Sequence, residues 1–181
     1  MDKVTYNGLT FEPYLTRDEI ARQVKRVAEE IRRDYADDNP LFLCVLNGAA
    51  IFAVDLFREC RIKGAEISFI RFKSYEGTST TGTAKQVMGL DENIEGRKVI
   101  IVEDIVDTGI TAQQLLKTLA DKGPSEVKLA SLLFKPESLQ TDVRPDYIGF
   151  SIPPKFIIGY GLDIDGLARN LSDIFVLSEE K

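Results

Sequence analysis

Val99-Ile100-Ile101-Val102-Glu103-Asp104-Ile105-Val106-Asp107-Thr108-Gly109-Ile110-Thr111 is the stretch that decides how this chain folds. Val99 to Val102 form a run of β-branched residues with no polar face to offer water. Such a run reads as a strand ending at Val102 and covered on both sides, as in the parallel sheet of an α/β domain. The acids Glu103 and Asp104 follow at the strand's end, then Asp107, then a Thr-Gly-x-Thr turn that opens a helical pattern. Open α/β sheets bind ligands at the carboxyl ends of their strands, so this corner is a binding site by position. A receiver-like or other doubly wound domain, with strand-end acids that hold a cation, shares the same outline.

The helix after the turn spans about Thr111 to Asp121, with Ala112, Leu115, Leu116 and Leu119 at helical spacing and Gly123-Pro124 as its stop. Its first turn offers unpaired backbone N–H groups and the positive end of the helix dipole, and Gly109 lets the loop approach a ligand closely. With the hydroxyls of Thr108 and Thr111, the segment Thr108-Gly109-Ile110-Thr111 makes a phosphate cradle. Glu103 and Asp104 would repel a phosphate arriving alone. They fit a ligand that also carries a sugar diol and Mg²⁺, because carboxylates accept hydrogen bonds from hydroxyls and hold magnesium or its waters. Phosphate, diol and metal together describe a phosphoribosyl group.

At 181 residues the chain is expected to form one domain with a substantial core. Residues before Thr16 show little periodicity and are expected to form an arm. Thr16-Arg17-Asp18-Glu19 is a capping box, and Ile20, Val24, Val27 and Ile31 follow at helical spacing, so a helix runs from Arg17 to Tyr35. Arg22, Arg26, Arg32 and Arg33 form its solvated face. Leu41 to Leu46 reads as a buried strand, after which Asn47-Gly48-Ala49-Ala50 turns into a helix bearing Ile51, Phe52, Leu56 and Phe57. A strand, a glycine turn and a helix start again suit an anion, although many βα turns look alike. Ala65 to Tyr75, Val127 to Phe134, Asp146 to Phe150 and Ile174 to Leu177 read as further strands, the second delivering Lys135 at its end. By itself a strand-terminal lysine is as well read as solvated. Glu76 to Thr83 has almost nothing to bury and by composition is a surface loop.

A net charge of −6 argues against nucleic-acid or anionic-membrane partners. No N-terminal apolar run resembles a signal peptide and no segment is long enough to cross a bilayer, so a cytoplasmic location is expected. Cys44 and Cys60 sit in apolar contexts and read as buried free thiols. Histidine is absent, which removes Ser-His and Cys-His hydrolases and His-bearing zinc sites from consideration.

The segment Glu103-Asp104-Ile105-Val106-Asp107-Thr108-Gly109 resembles the motif with which type I phosphoribosyltransferases bind 5-phosphoribosyl-1-diphosphate (PRPP), and its E-D-I-x-D-T-G form is most similar to the hypoxanthine-guanine branch. The likeness runs from about Leu41 to the C-terminus and includes Lys135-Pro136-Glu137 and the segment from Pro153 to Asp163. It implies a central, mostly parallel sheet flanked by helices over about residues 16–150, a small hood from about 1–15 and 151–181, and a lid loop over about 74–86. It also implies Mg²⁺-dependent transfer of the phosphoribosyl group from PRPP to hypoxanthine or guanine, giving IMP or GMP and pyrophosphate, in a homodimer or homotetramer.

Carried over residue by residue, the resemblance gives Glu103, Asp104, Asp107, Thr108, Gly109, Ile110 and Thr111 to PRPP. Leu46, Asn47 and Gly48 would hold pyrophosphate through a loop with a non-proline cis peptide at Leu46-Asn47. Asn47 stands where the family commonly has lysine, so that loop has one cationic contact fewer. Ser74 and Tyr75 would lead the lid. Lys135 would donate to the purine 6-oxo group, Phe156 stack on the ring, the Ile157 backbone meet its edge, and Asp163 join Glu103 and Asp104 at magnesium. Arg169 would contact pyrophosphate, and Asp107 would share a proton with the purine imidazole. Read without the resemblance, Asp107 is equally a helix cap and Phe156 equally a core aromatic. Two alternatives remain from the sequence: an RNA-binding attenuation regulator on the same fold, whose expected basic face the net acidity opposes, and a phosphoribosyltransferase preferring xanthine.

Overall fold

The computed structural model describes residues 2–74 and 85–179. The chain runs β1 (Val4–Tyr6), β2 (Leu9–Leu15), α1 (Arg17–Tyr35), β3 (Leu41–Val45), α2 (Ala50–Cys60), β4 (Glu66–Ser74), β5 (Lys85–Met88), β6 (Lys98–Val106), α3 (Ile110–Ala120), β7 (Glu126–Phe134), β8 (Tyr147–Ser151), β9 (Ile157–Ile158) and β10 (Ile174–Leu177), with a 3-10 turn at Pro136–Ser138. The larger sheet has the order β5-β4-β3-β6-β7-β8. From β4 to β8 its neighbours are parallel, and β5 joins β4 antiparallel at the edge.

Strands without a polar face need cover on both sides, and the helices supply it. Phe42, Cys44, Ile100 and Val102 pack with Ile20, Val24, Phe52 and Leu56 of α1 and α2. The alternate residues Leu41, Leu43, Val99 and Ile101 pack with Ala112, Leu115 and Leu119 of α3. Cys44 and Cys60 are free and buried in the first of these clusters. No helix among the described residues is long and apolar enough to cross a membrane.

Two expectations need correction. The central strand does not end at Val102: the β6–β7 ladder continues through Glu103↔Ser131 to Val106↔Phe134. Backbone pairing with β7 carries the acids inside the sheet whatever their side chains prefer. Nor are the first residues an arm. β1 and β2 form a hairpin closed by Asn7 (φ 50) and Gly8 (φ 76), with Val4↔Phe11 and Tyr6↔Leu9 in register. An Asn-Gly pair favours the left-handed conformations of a two-residue hairpin turn, and that signal was available locally. The partner of β2 was not, because β2 pairs with β10 and β10 with β9 at the far end of the chain, giving a second, antiparallel sheet of order β1-β2-β10-β9. Phe11, Ile158, Ala168 and Phe175 form its own small core.

The α1 helix begins where its capping box predicts. Thr16 Oγ1 accepts from the Glu19 N–H at 3.2 Å, and the Glu19 carboxylate accepts from the Thr16 N–H at 2.8 Å. The Arg17 N–H donates to Asp173 Oδ1 at 2.7 Å, tying the same helix start to the smaller sheet. Replacing Thr16 with Ala removes the cap, and urea unfolding should then show a loss of about 1 kcal/mol; a midpoint matching that of the unsubstituted chain would show that the box contributes nothing.

Candidate active site

The end of β6 holds two adjacent acids with little in the described residues to balance them. Glu103 is 8% exposed, and among the described residues its carboxylate has no hydrogen-bond or ion-pair partner. Burial, then the neighbouring Asp104, push its pKa well above the ordinary carboxylate range. Burial likewise raises Asp104 to about 6, while the Ile105 and Asp104 N–H groups and the Arg169 guanidinium pull it back down and Asp163 adds to the rise. Asp104 Oδ1 accepts from the Ile105 N–H at 2.8 Å. Two adjacent acids in this setting favour a cation or hydroxyl donors arriving from outside.

Beyond the last ladder pair, Val106↔Phe134, the next residues on the two strands are Asp107 and Lys135, and they meet. Lys135 Nζ lies 2.8 Å from Asp107 Oδ2, and its N–H donates to the Val106 carbonyl at 2.9 Å. Lys135 is buried, so it is not a solvated strand end. Its backbone, at φ −107 and ψ 83, stays outside the helical region as a residue before proline must. Asp107 does not cap α3. The cap position belongs to Gly109 at φ 79, with no side-chain cap bond of its own, and the first amide of α3, the Ile110 N–H, donates to Thr108 Oγ1 at 3.4 Å. Glu103, Asp104, Asp107, Thr108, Gly109 and Thr111 line a cavity of about 240 Å³, floored by Val45 and Ala112. The Ile110 side chain is 40% exposed, so its part in the cradle is through its backbone.

The second wall comes from segments remote in sequence. The Leu46-Asn47 peptide bond is cis. A Cβ added to Gly48 would lie 1.6 Å from Asp104 Oδ2, and one added to Gly161 would lie 2.0 Å from the Gly48 carbonyl oxygen. Only glycine allows either approach. Arg169 Nη2 sits 2.7 Å from Asp163 Oδ1, and Arg169 Nη1 donates to the Gly161 carbonyl at 2.7 Å. Asp163 also accepts from the Gly166 N–H at 2.7 Å. Asn47, which stands where the family commonly has lysine, accepts through Oδ1 from Arg71 Nη2 at 2.9 Å. Arg71 escaped the sequence reading because a lone arginine on a strand carries no local signal.

Phe156 is 47% exposed, so it is not a core aromatic, and its ring stands 5.9 Å from that of Phe11 at a 45° tilt. Ile157 beside it is buried. Ser74 pairs with Lys85 across β4 and β5, whereas Tyr75 and the loop from 76 to 83 lie outside the described residues. Among the described residues no group of three or more acids, cysteines or histidines is placed to hold a metal by itself. Mg²⁺ commonly takes only one or two carboxylates and completes its shell with substrate oxygens and water, so the adjacent Glu103 and Asp104 fit it in the presence of a phosphorylated ligand. A larger cavity of about 520 Å³ opens between α1, α2 and the 170–172 segment and contains none of these groups.

Comparison with known proteins agrees with this arrangement. A model of the phosphoribosyl transferase domain matches residues 12–165. The hypoxanthine-guanine phosphoribosyltransferase of Streptococcus thermophilus is 39% identical over 91% of this chain and 92% of its own length. The hypoxanthine-guanine-xanthine phosphoribosyltransferase of Tritrichomonas foetus is 38% identical over 99% of this chain and 93% of its own. The crystal structure of a hypoxanthine-guanine phosphoribosyltransferase from Bacillus anthracis, with HEPES in its active site, superposes with a TM-score of 0.82 at 35% identity, covering 92% of this chain and 96% of that one. With identity this extensive and a strand end built as its motif requires, the chain belongs to the phosphoribosyltransferase family, alongside the hypoxanthine-guanine enzymes.

Proposed function

We propose that the protein salvages purines, transferring the 5-phosphoribosyl group of PRPP to hypoxanthine or guanine with release of pyrophosphate. The observation that carries this reading is the 240 Å³ cavity in which the strand-end acids Glu103 and Asp104, the first of them without a partner among the described residues, and the glycine-capped start of α3 stand beside the Asp107–Lys135 pair. The 5-phosphate rests on the amides and hydroxyls of Thr108 to Thr111, and Glu103 and Asp104 accept hydrogen bonds from the ribose diol. Mg²⁺, when bound, neutralises diphosphate charge, with Glu103, Asp104 and Asp163 as the residues that would hold it.

Breaking the anomeric C–O bond builds positive charge on the ribose and negative charge on the departing pyrophosphate. Arg169 and the loop of Leu46, Asn47 and Gly48, through its Asn47 and Gly48 N–H groups, stabilise the latter, an electrostatic effect of about 3 kcal/mol. Asp107 accepts the imidazole proton as the purine nitrogen attacks, Lys135 steadies the 6-oxo group, and Phe156 and Ile157 hold the ring. The small sheet acts as a hood over the base, and residues 74–86, led by Ser74 and Tyr75, act as a lid that keeps water out. Large apolar side chains left exposed at Leu9, Val54, Phe69 and Leu167 suit a homodimer or homotetramer, and two free buried thiols suit the reducing cytoplasm. An RNA-binding regulator is not favoured, since the relatives reported above are named as transferases.

The direct test is to incubate the pure protein with PRPP, Mg²⁺ and hypoxanthine, guanine or xanthine separately and follow nucleotide formation. IMP and GMP should form and chelation of the metal should stop both, whereas purine left unconsumed in all three mixtures would refute the reading. Asp107→Asn, with unfolding behaviour retained, should lower turnover roughly 10²-fold; unchanged turnover would leave Asp107 out of the mechanism. Asp104 should couple function to stability. Its folded-state pKa is raised from 3.8 to about 6, so its ionisation lowers stability as pH rises from about 4 through 6, and the loss is complete above that window. Asp104→Asn should therefore be about 1–2 kcal/mol more stable than the parent at pH 7.5, while nucleotide formation collapses. Equal stability of the two proteins across that pH range would contradict the assignment.

A further inference from the structure

We propose that Arg71 supplies a cation for the pyrophosphate of PRPP and that Asn47 is the residue that positions it. The inference rests on the transferase reading above and identifies a further residue for the same site.

The placement follows from strand register. The β3–β4 ladder ends at Val45↔Ile70, and the Leu46 N–H then donates to the Ile70 carbonyl at 2.8 Å. The next residue on β4 is Arg71, so its side chain stands beside the cis Leu46-Asn47 peptide, where Asn47 Oδ1 accepts from Nη2 at 2.9 Å. The α2 helix that starts just after this loop has no acid in its first turn, so no carboxylate there opposes an anion; its Ala49 and Ala50 N–H groups are taken by the Val45 and Asn47 carbonyls, and the amides that face a ligand are those of the loop itself. Cations elsewhere around the site are matched by carboxylates, Arg169 by Asp163 and Lys135 by Asp107. Arg71 is not: among the described residues its partner is a neutral carboxamide.

That difference has a chemical consequence. A carboxylate would orient the guanidinium and cancel its charge, whereas an amide orients it and leaves the charge intact. With one N–H bonded to Asn47, the rest of the planar fork remains available for the bidentate grip on phosphate oxygens that guanidinium favours. Charge balance calls for such a group. Gly48 is in contact with Asp104, so a pyrophosphate lying on the Asn47 and Gly48 amides comes close to a buried acid, and it becomes more negative as the anomeric bond breaks. Arg71 approaches from the Asn47 side and offsets that repulsion.

The test uses the full chain with Mg²⁺ and compares Arg71→Gln, Arg71→Lys, Asn47→Asp and Asn47→Ala. The readouts are KM for PRPP, KM for hypoxanthine, product inhibition by pyrophosphate, and calorimetric binding of Mg²⁺-pyrophosphate. Arg71→Gln should weaken PRPP and pyrophosphate together by roughly 10-fold or more, the loss of one charged hydrogen bond, and leave KM for hypoxanthine within about two-fold. Arg71→Lys should recover part of the loss. Asn47→Asp should mimic Arg71→Gln by neutralising the guanidinium in place, and Asn47→Ala should fall between. A merely structural role would shift the thermal midpoint and both KM values alike. Pyrophosphate binding that Arg71→Gln leaves unchanged, or that the unsubstituted chain does not show, overturns the proposal. An unsubstituted chain that binds pyrophosphate but forms no nucleotide overturns the transferase reading instead.

Discussion

Carboxylates held inside a parallel sheet are the constraint on which this protein depends. Glu103 and Asp104 lie on a strand that β3 and β7 pair from either side, so the backbone ladder, not the preference of the acids, decides where they sit. Burial raises the pKa of both, so holding them ionised there costs stability. The sheet is stable enough in its apolar faces to carry this local cost, and the cost is what makes the corner receptive. Under the proposed transfer, a metal with a ribose diol and a diphosphate would supply the positive charge and the hydroxyl donors that this corner lacks. Strain of this kind is common at functional sites because a perfectly satisfied pocket has little to gain from a ligand.

The remaining walls are brought in by backbone contact. Gly48 lets the loop after β3 lie against Asp104, and Gly161 lets the segment after β9 lie against Gly48. Through these contacts the acids and the loop after β3 come together with the Asp163–Arg169 pair, although the groups are spread over most of the chain. A single added methyl at either glycine would separate the walls. The 3-10 turn after Lys135 is tied in the same manner, since the Gln140 N–H donates to the Thr108 carbonyl at 2.9 Å and so links the lysine's loop to the phosphate cradle. The candidate site residues are thus positioned by one connected framework.

The smaller sheet shows how the two ends of the chain share that framework. β10 lies between β2 and β9, and the Asp173 carboxylate, just ahead of β10, accepts from the first amide of α1. Phe156 stands on this sheet beside Phe11, one side chain from each end of the chain. The position of the aromatic thus depends on pairing between strands that are remote in sequence. A ring so exposed contributes little to the core, which is consistent with its being reserved for a planar ligand.

Much of this was legible beforehand because its causes are local. The capping box at Thr16, the unbroken apolar runs at Leu41 and Val99, the helical spacing after Thr111 and the strand at Ile174 each have a short-range physical cause, and apart from the far end of β6 these elements formed within a residue or two of where they were read. The Glu-Asp-Ile-x-Asp-Thr-Gly order was enough to point to phosphate, diol and metal together. What the chain could not disclose from its order alone is everything that depends on register between distant segments. The extension of β6 past its acids, the partner that turns the first residues into a sheet, the pairing of Asp107 with Lys135 and the meeting of Arg71 with Asn47 all arise when one backbone ladder is laid against another. Periodicity reports which face a residue prefers, and only the tertiary structure decides which residue from elsewhere will face it.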